Sequence, residues 1–260
     1  MTTNLAAIKK IVTHAGQFHA DEILAIALLR LTGCGAPIER TYKPTLEDMA
    51  DQAVMVLDVG MEYKPELLNF DHHHDKDLPA TNRLLLDFLR QIIGEETADQ
   101  LADRLFNRVS DVDRGIVTFS DGVFLPEFTM LIRSFNSLLN GFERALSVAT
   151  EILTAQIETI EKAILDAKRW DALVKTEGIA YQYEADPILG WKEKARAEGI
   201  FMLVCPNLRG GYSVISRDTN DLTIPPVDTQ TFRHNSGFMA TYPTQADAID
   251  HALRLAAITV

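Results

Sequence analysis

Cysteine is nearly absent from this 260-residue chain: Cys34 and Cys205 stand far apart, each in apolar surroundings. Two isolated thiols exclude a disulfide framework and a thiolate zinc module, and they are expected to be reduced core groups, as in a cytoplasmic protein. Long hydrophobic runs are missing too. No apolar stretch approaches the roughly 20 residues needed to cross a bilayer, so no membrane partner is expected. Residues 1–7 lack the basic start and apolar run of a secretion signal. Basic residues are the third shortage, with 25 Lys and Arg against 37 Asp and Glu and a formal net charge of −12. A protein that grips long duplex nucleic acid nonspecifically carries a broad basic face, and this composition leaves little room for one. A small phosphorylated substrate, or a short single strand held locally, suits the charge better. Part of the acidity is only apparent if carboxylates ligate divalent cations.

What is present reads as an α/β pattern. Residues 8–13 form a short strand ending at His14, followed by a loop with Gly16 and an apolar helix over 23–31. Such a strand–loop–helix opening collects functional groups at the strand's carboxyl end. Asp21 and Glu22 fall in the first helical turn, where negative charge is favoured, and for Glu22 that position is the preferred explanation. Residues 38–42 and 53–57 read as further strands, the second buried on both faces of a parallel sheet and ending at Asp58. Helices are expected over 83–93 and 97–109, interrupted at 110–115, where Asp111 can serve as an N-cap and Asp113 has no such explanation. Residues 142–174 contain neither Gly nor Pro, and a helix of that length commonly connects two lobes. Strands over 179–183, 200–205 and 211–215 and an amphipathic helix over 244–258 follow. The expected architecture is a two-domain α/β protein. A metal-binding catalytic domain with a parallel sheet and flanking helices occupies 1–125, a helical linker 126–175, and a smaller C-terminal α/β substrate-binding domain 176–260.

The densest chemistry is Phe70-Asp71-His72-His73-His74. With His14, His19, Asp21, Asp58 and Asp113 it makes a mixed imidazole and carboxylate set suited to manganese, iron, cobalt or zinc, without the thiolates of a zinc finger. Six or more such groups exceed the needs of one tetrahedral ion. Two ions roughly 3.5–4 Å apart, bridged by a carboxylate and a water, would use them all, with Asp58 as the natural bridge. The bland alternative makes the carboxylates helix caps and the histidines solvated or core residues.

The ordered motifs Thr13-His14-x-Gly-x-Phe-His19-x-Asp21-Glu22, Asp58-Val-Gly-x-Glu-Tyr, Phe-Asp71-His72-His73 and Asp111-x-Asp113-x-Gly115-Ile116 resemble the MYG-type (UPF0160-like) branch of the DHH phosphoesterase superfamily. His234-x-Ser236-Gly237-Phe238 resembles that branch's C-terminal signature. The resemblance implies two divalent cations, manganese first, with magnesium, cobalt or zinc as alternatives, on His14, His19, Asp21, Asp58, His72 and Asp113. It implies that Asp71 orients an imidazole and that His73 contacts the substrate phosphate or assists the leaving group. Its second domain closes over the cleft, which places His234, Ser236 and Gly237 against substrate; Arg217, Arg209 and Arg133 are phosphate ligands on chemistry alone. His74 stands where a glutamine is usual and could add a ligand or a proton shuttle. Arg114 replaces an asparagine, and Ala80-Thr81-Asn82-Arg83 replaces a small-residue stretch; these departures are expected to surround the substrate. The implied activity is two-metal hydrolysis of a phosphodiester, as by a 3′-5′ exonuclease on short RNA or DNA. Alternatives are hydrolysis of a small phosphorylated metabolite or pyrophosphate, and a metal-binding regulatory protein without catalysis. A homodimer is compatible with all three.

Overall fold

Strand β1 (Lys10–His14) carries Ile11, Val12 and Thr13, all fully buried, between two parallel neighbours, β2 (Ile38–Thr41) and β3 (Val54–Leu57). The computed structural model describes residues 4–117 and 127–259, so the expected domain boundary at 125 lies outside the described residues. Beyond β3 come β4 (Tyr63–Lys64) and β5 (Asn69–Phe70), giving the order β2-β1-β3-β5-β4 with β4 alone antiparallel. Helix α1 (Ala20–Leu31) buries ten of its residues, which explains its nearly continuous apolar sequence. Helix α2 (Leu46–Ala50) starts at Thr45, whose hydroxyl accepts from the Asp48 N–H at 3.0 Å.

Helices α3 (Thr81–Ile93) and α4 (Glu95–Leu101), a π-helical turn over Ala102–Phe106 and α5 (Asn107–Asp113) follow one another closely. Here the sequence-based expectation is corrected. Asp111 and Asp113 do not interrupt the helix; they lie in the last turn of α5, and the helix stops at Gly115, which has φ 68°. Nothing in 110–113 breaks a helix, whereas glycine past the end adopts the left-handed terminus freely.

After α6 (Phe128–Ser134), helix α7 (Gly141–Asp171) runs for 31 residues. The chain divides into two compact units, Met1–Ile160 and Glu161–Val260, with the division inside α7. The second unit contains β6 (Val174–Thr176), β7 (Ile179–Tyr181), α8 (Trp191–Ala197), β8 (Met202–Pro206), β9 (Tyr212–Ser216), β10 (Phe232–Arg233), β11 (Met239–Tyr242) and α9 (Gln245–Thr259). Its sheet has the order β10-β11-β9-β8-β7-β6, and β7 and β8 are its parallel pair. Strand alternation sorts the two faces. Met202, Val204 and Val214 pack with Ala248, Ala252 and Leu255 of α9, whereas Leu203, Cys205 and Ala180 pack with Trp170, Trp191 and Ala195. Trp170 and Trp191 stack at 5.7 Å between ring centroids, as core packing. Sequence patterning overlooked β4 to β6, β10, β11 and α8, all short. Both cysteines are buried free thiols. Among the described residues no helix is long and apolar enough to cross a membrane.

Candidate metal centre

Three adjacent parallel strands deliver side chains to one edge of the first sheet. β1 ends at His14, β3 is followed by Asp58, and β5 by Asp71-His72-His73. Asp58 adopts φ 57°, a left-handed conformation that aspartate tolerates and that turns its side chain at the strand tip, while its N–H donates to Phe70 O at 3.1 Å. The N-terminus of α1 adds His19, Asp21 and Glu22, and the last turn of α5 adds Asp113.

These groups converge. His14 Nε2 lies 2.6 Å from Glu22 Oε1 and 3.4 Å from Asp58 Oδ2. His72 Nε2 lies 3.2 Å from Asp113 Oδ2, 3.5 Å from Asp58 Oδ1 and 4.0 Å from Asp21 Oδ2. His19 Nδ1 lies 3.5 Å from Asp113 Oδ1, and His73 Nδ1 3.7 Å from Asp58 Oδ1. Three overlapping sets have ligand atoms within 4.8 Å of one another: His14, His19, Glu22 and Asp58; Asp58, His72 and His73; His19, Asp21 and Asp113. Asp58 belongs to two of them, one carboxylate oxygen facing each side.

The residues present fit divalent cations. Both Asp21 oxygens are buried without a hydrogen-bond partner, and His14 Nε2, Glu22 Oε1 and His72 Nε2 are buried with only one another or a neighbouring carboxylate to face. Buried polar atoms are otherwise nearly always satisfied by ordinary donor–acceptor pairs, so this concentration of lone pairs turned on one another indicates a ligand shell. The Nδ1 of His14 points to the Ala15 carbonyl at 3.1 Å, which leaves Nε2 bare for a cation.

Electrostatics agree. Burial opposes charge on His14, but the Glu22 and Asp58 carboxylates outweigh it and raise the imidazole to about 9. His72 is likewise raised to about 9, burial being overcome by Asp113 and Asp58. Burial, with repulsion from Asp58, Asp113 and Glu22, pushes Asp21 well above the carboxylate range. Burial lifts Glu22 to about 7 against the pull of His14. Asp58 is held low, the neighbouring His72, His14 and His73 outweighing its burial. Without cations, Asp21 and Glu22 hold their protons more tightly than ordinary carboxylates.

The supporting contacts come from distant sequence. Arg40 donates to the His14 carbonyl at 3.2 Å and the Gly16 carbonyl at 2.9 Å, and its guanidinium sits 4.4 Å from the Phe142 ring centroid. Asn136 holds the Phe18 backbone from both sides, accepting its N–H at 2.9 Å and donating to its carbonyl at 2.8 Å. No local pattern marks either residue. Glu22, read from the sequence as a helix-terminus residue, has two roles: Oε2 accepts the His19 N–H at 2.8 Å while Oε1 faces His14. Its place in the first turn hid the second.

Other expected site residues sort differently. His74 is exposed and outside every ligand set. Arg114 donates to the Lys76 carbonyl at 2.9 Å and so ties down the loop after the histidines. Thr81, expected on the substrate side, is instead buried behind the centre, its hydroxyl 3.1 Å from both Asp58 Oδ1 and Phe70 O. Arg217, expected to bind phosphate, has its guanidinium paired with Asp221, donating to the Ile200 carbonyl at 3.0 Å, and buried. It braces the second unit. Gly237, at φ 71°, sits in the β10–β11 turn, where an added Cβ would come within 2.5 Å of Thr223 Cγ2, so the turn itself requires glycine. In that turn His234 Nδ1 and Ser236 Oγ lie 2.9 Å apart.

Residues 10–82 match the model of the family described as Uncharacterised protein family (UPF0160). The chain is similar to the MYG1 exonuclease of Rattus norvegicus, 29% identical over 225 residues that make up 70% of this chain and 57% of that one. It is 28% identical to the MYG1 exonuclease of Homo sapiens over 71% of this chain and 58% of that one. To the MYG1 protein of Chlamydia trachomatis serovar D it is 30% identical over 56% of this chain and 53% of that one. The chain thus spans less than two thirds of the length of these relatives. Among solved structures, RecJ of Thermus thermophilus in complex with Mg2+ aligns over 98% of this chain and 50% of that one, with a TM-score of 0.31 and 15% identity. The strand-end motifs that build the centre fall mostly within the segment matched by the family model, and over that segment the chain is similar to the UPF0160 family.

Proposed function

We propose that the chain is a divalent-metal-dependent phosphoesterase that cleaves phosphodiester bonds, as a 3′-5′ exonuclease on short RNA or DNA. The observation that carries this reading is the buried cluster of ligand atoms around Asp58, divided into overlapping sets on its two sides. When bound there, a pair of divalent cations, manganese first, supplies Lewis acidity and a water acidic enough to attack phosphorus. His14, His19, Glu22 and Asp58 would hold one cation; Asp58, His72, Asp21 and Asp113 would hold the other. His73 stays outside, half-exposed, its Nδ1 directed to Asp71. Its Nε2 is then free to meet a substrate oxygen and, with the ring in the imidazolium form that the Asp71 and Asp58 carboxylates favour, to hand a proton to the leaving group. The curated relatives named exonuclease support the nuclease reading.

The net charge of −12 favours a second reading with the same centre, hydrolysis of a small phosphorylated metabolite or pyrophosphate. Manganese-loaded protein assayed side by side on oligonucleotides, dinucleotides and pyrophosphate separates the two. Stepwise release of mononucleotides that disappears in Asp58→Ala is the expected result. Turnover of pyrophosphate alone overturns the nuclease reading.

A further inference from the structure

Strand β2 runs parallel beside β1, with Thr41 in register with His14, and the Thr41 carbonyl accepts the Ala15 N–H at 3.0 Å. Tyr42 therefore leaves β2 at the same sheet edge that delivers the cation-binding side chains. Its ring lies against the loop that runs from His14 to His19. A Cβ added at Gly16, which has φ 91°, would stand 3.4 Å from both Tyr42 Cε1 and Tyr42 Oη. The Gly16 carbonyl accepts from Arg40 at 2.9 Å, so the backbone beside the ring is held in place. Two residues on, Pro44 is buried, and its Cγ is 3.2 Å from where a Cβ on Gly60 would stand. Residues 42–44 thus bridge the loop that runs to His19 and the loop that begins at Asp58.

So fixed, Tyr42 is nevertheless 82% exposed. An aromatic ring contributes most when another surface covers it, and here a face is left open beside the cation centre. The net charge of −12 denies the chain a broad cationic surface, so its grip on a short strand has to come in part from a contact that does not depend on charge. Stacking on an aromatic ring is such a contact, and it accepts any base, because every base has a π-face. Lys43, next along the chain, is exposed as well and adds a single positive charge at the same rim.

We infer that Tyr42 is the stacking platform for a base of the nucleic acid whose scissile phosphate lies at the cation pair. The inference rests on the phosphoesterase reading and narrows it to substrates that carry a base beside the scissile phosphate; pyrophosphate has none. Tyr42 is then a specificity-determining residue and takes no part in the attack on phosphorus.

Manganese-loaded full chain, Tyr42→Ala and Tyr42→Phe are assayed on a dinucleotide and on the two analogues in which one base or the other is replaced by hydrogen. Tyr42→Ala is expected to raise KM for the intact dinucleotide by about tenfold, the loss falling on KM rather than kcat, and Tyr42→Phe, which keeps the ring, to restore it. One of the two abasic analogues should show the same KM with wild type and Tyr42→Ala, because the base that meets the ring is already gone. Equal losses on all three substrates, or an unchanged KM, overturn the inference. Stacking is also read without turnover, with calcium in place of manganese and 2-aminopurine at each position of the dinucleotide in turn. Its fluorescence should fall on binding to wild type and Tyr42→Phe and persist on Tyr42→Ala. Absence of quenching at both positions, or equal quenching by Tyr42→Ala, overturns the inference. Quenching without turnover of any substrate would count against the phosphoesterase reading alone.

Discussion

Asp71 Oδ1 accepts two hydrogen bonds from His73, one from its main-chain N–H at 2.9 Å and one from its ring Nδ1 at 2.7 Å, while Oδ2 accepts the Met61 N–H at 2.7 Å. One carboxylate therefore fixes the ring orientation of His73 and the loop leaving Asp58. Burial would raise the Asp71 carboxyl, but the His73 ring and these N–H groups hold it below its ordinary range, so it stays an acceptor and assigns the ring proton to Nδ1. Asp71→Asn is expected to lower turnover by about 10–100-fold, the usual effect of removing a partner that orients a site imidazole. Nitrogen chemical shifts of the His73 ring check the cause, since the Nδ1–H tautomer should give way to a mixture.

Glu22→Gln separates ligation from capping. The glutamine carbonyl can still accept the His19 N–H, but its amide would aim protons toward the cation beside His14. Metal content by mass spectrometry is expected to fall from two equivalents to one. Unchanged stoichiometry would confine Glu22 to the helix terminus.

The pH dependence of the cation-free protein has a definite sign. His14 and His72 titrate at about 9, above their unfolded value, and Glu22 at about 7, above its own. Across roughly pH 4.5–9 the folded state therefore binds more protons than the unfolded one, and stability falls as pH rises. Cations displace those protons, so their affinity rises over the same interval. Melting temperatures measured in chelator should drop toward pH 9, while the increment added by manganese should grow. Calorimetric heats of binding should vary with the ionisation enthalpy of the buffer.

Asn136→Ala tests the long-range clamp on the metal loop. It leaves the Phe18 N–H and carbonyl without their shared partner, and a loss of about 1–3 kcal/mol in stability is expected. Cation affinity should fall further than stability alone accounts for, because His19 adjoins Phe18. Asn136→Asp, which keeps the acceptor and loses the donor, should fall between the two in cation affinity.

Much of the site was legible without coordinates. Imidazoles and carboxylates at strand ends form an ordered set of spaced motifs, and His14, His19, Asp21, Asp58, His72 and Asp113 do meet. The lobe pattern was legible as well, since apolar strands and a long helix free of Gly and Pro are local properties of the chain. Short elements such as β10 and β11 were not, because two to four residues carry too little periodicity to register. The nature of the C-terminal arginine also escaped: Arg217 looks like any exposed cation in sequence, and only its burial with Asp221 makes it structural.

The sequence by itself determined which groups could ligate and that His14 and Asp58 leave the tips of buried strands, because apolar runs fix those strand ends locally. Tertiary structure alone decided that Glu22 turns one oxygen to His14, that Thr81 backs Asp58, and that Asn136 and Arg40 hold the metal loop. Those are choices among side-chain directions and partners distant along the chain, set by which helices pack beside the sheet edge. Neighbouring residues carry no record of them.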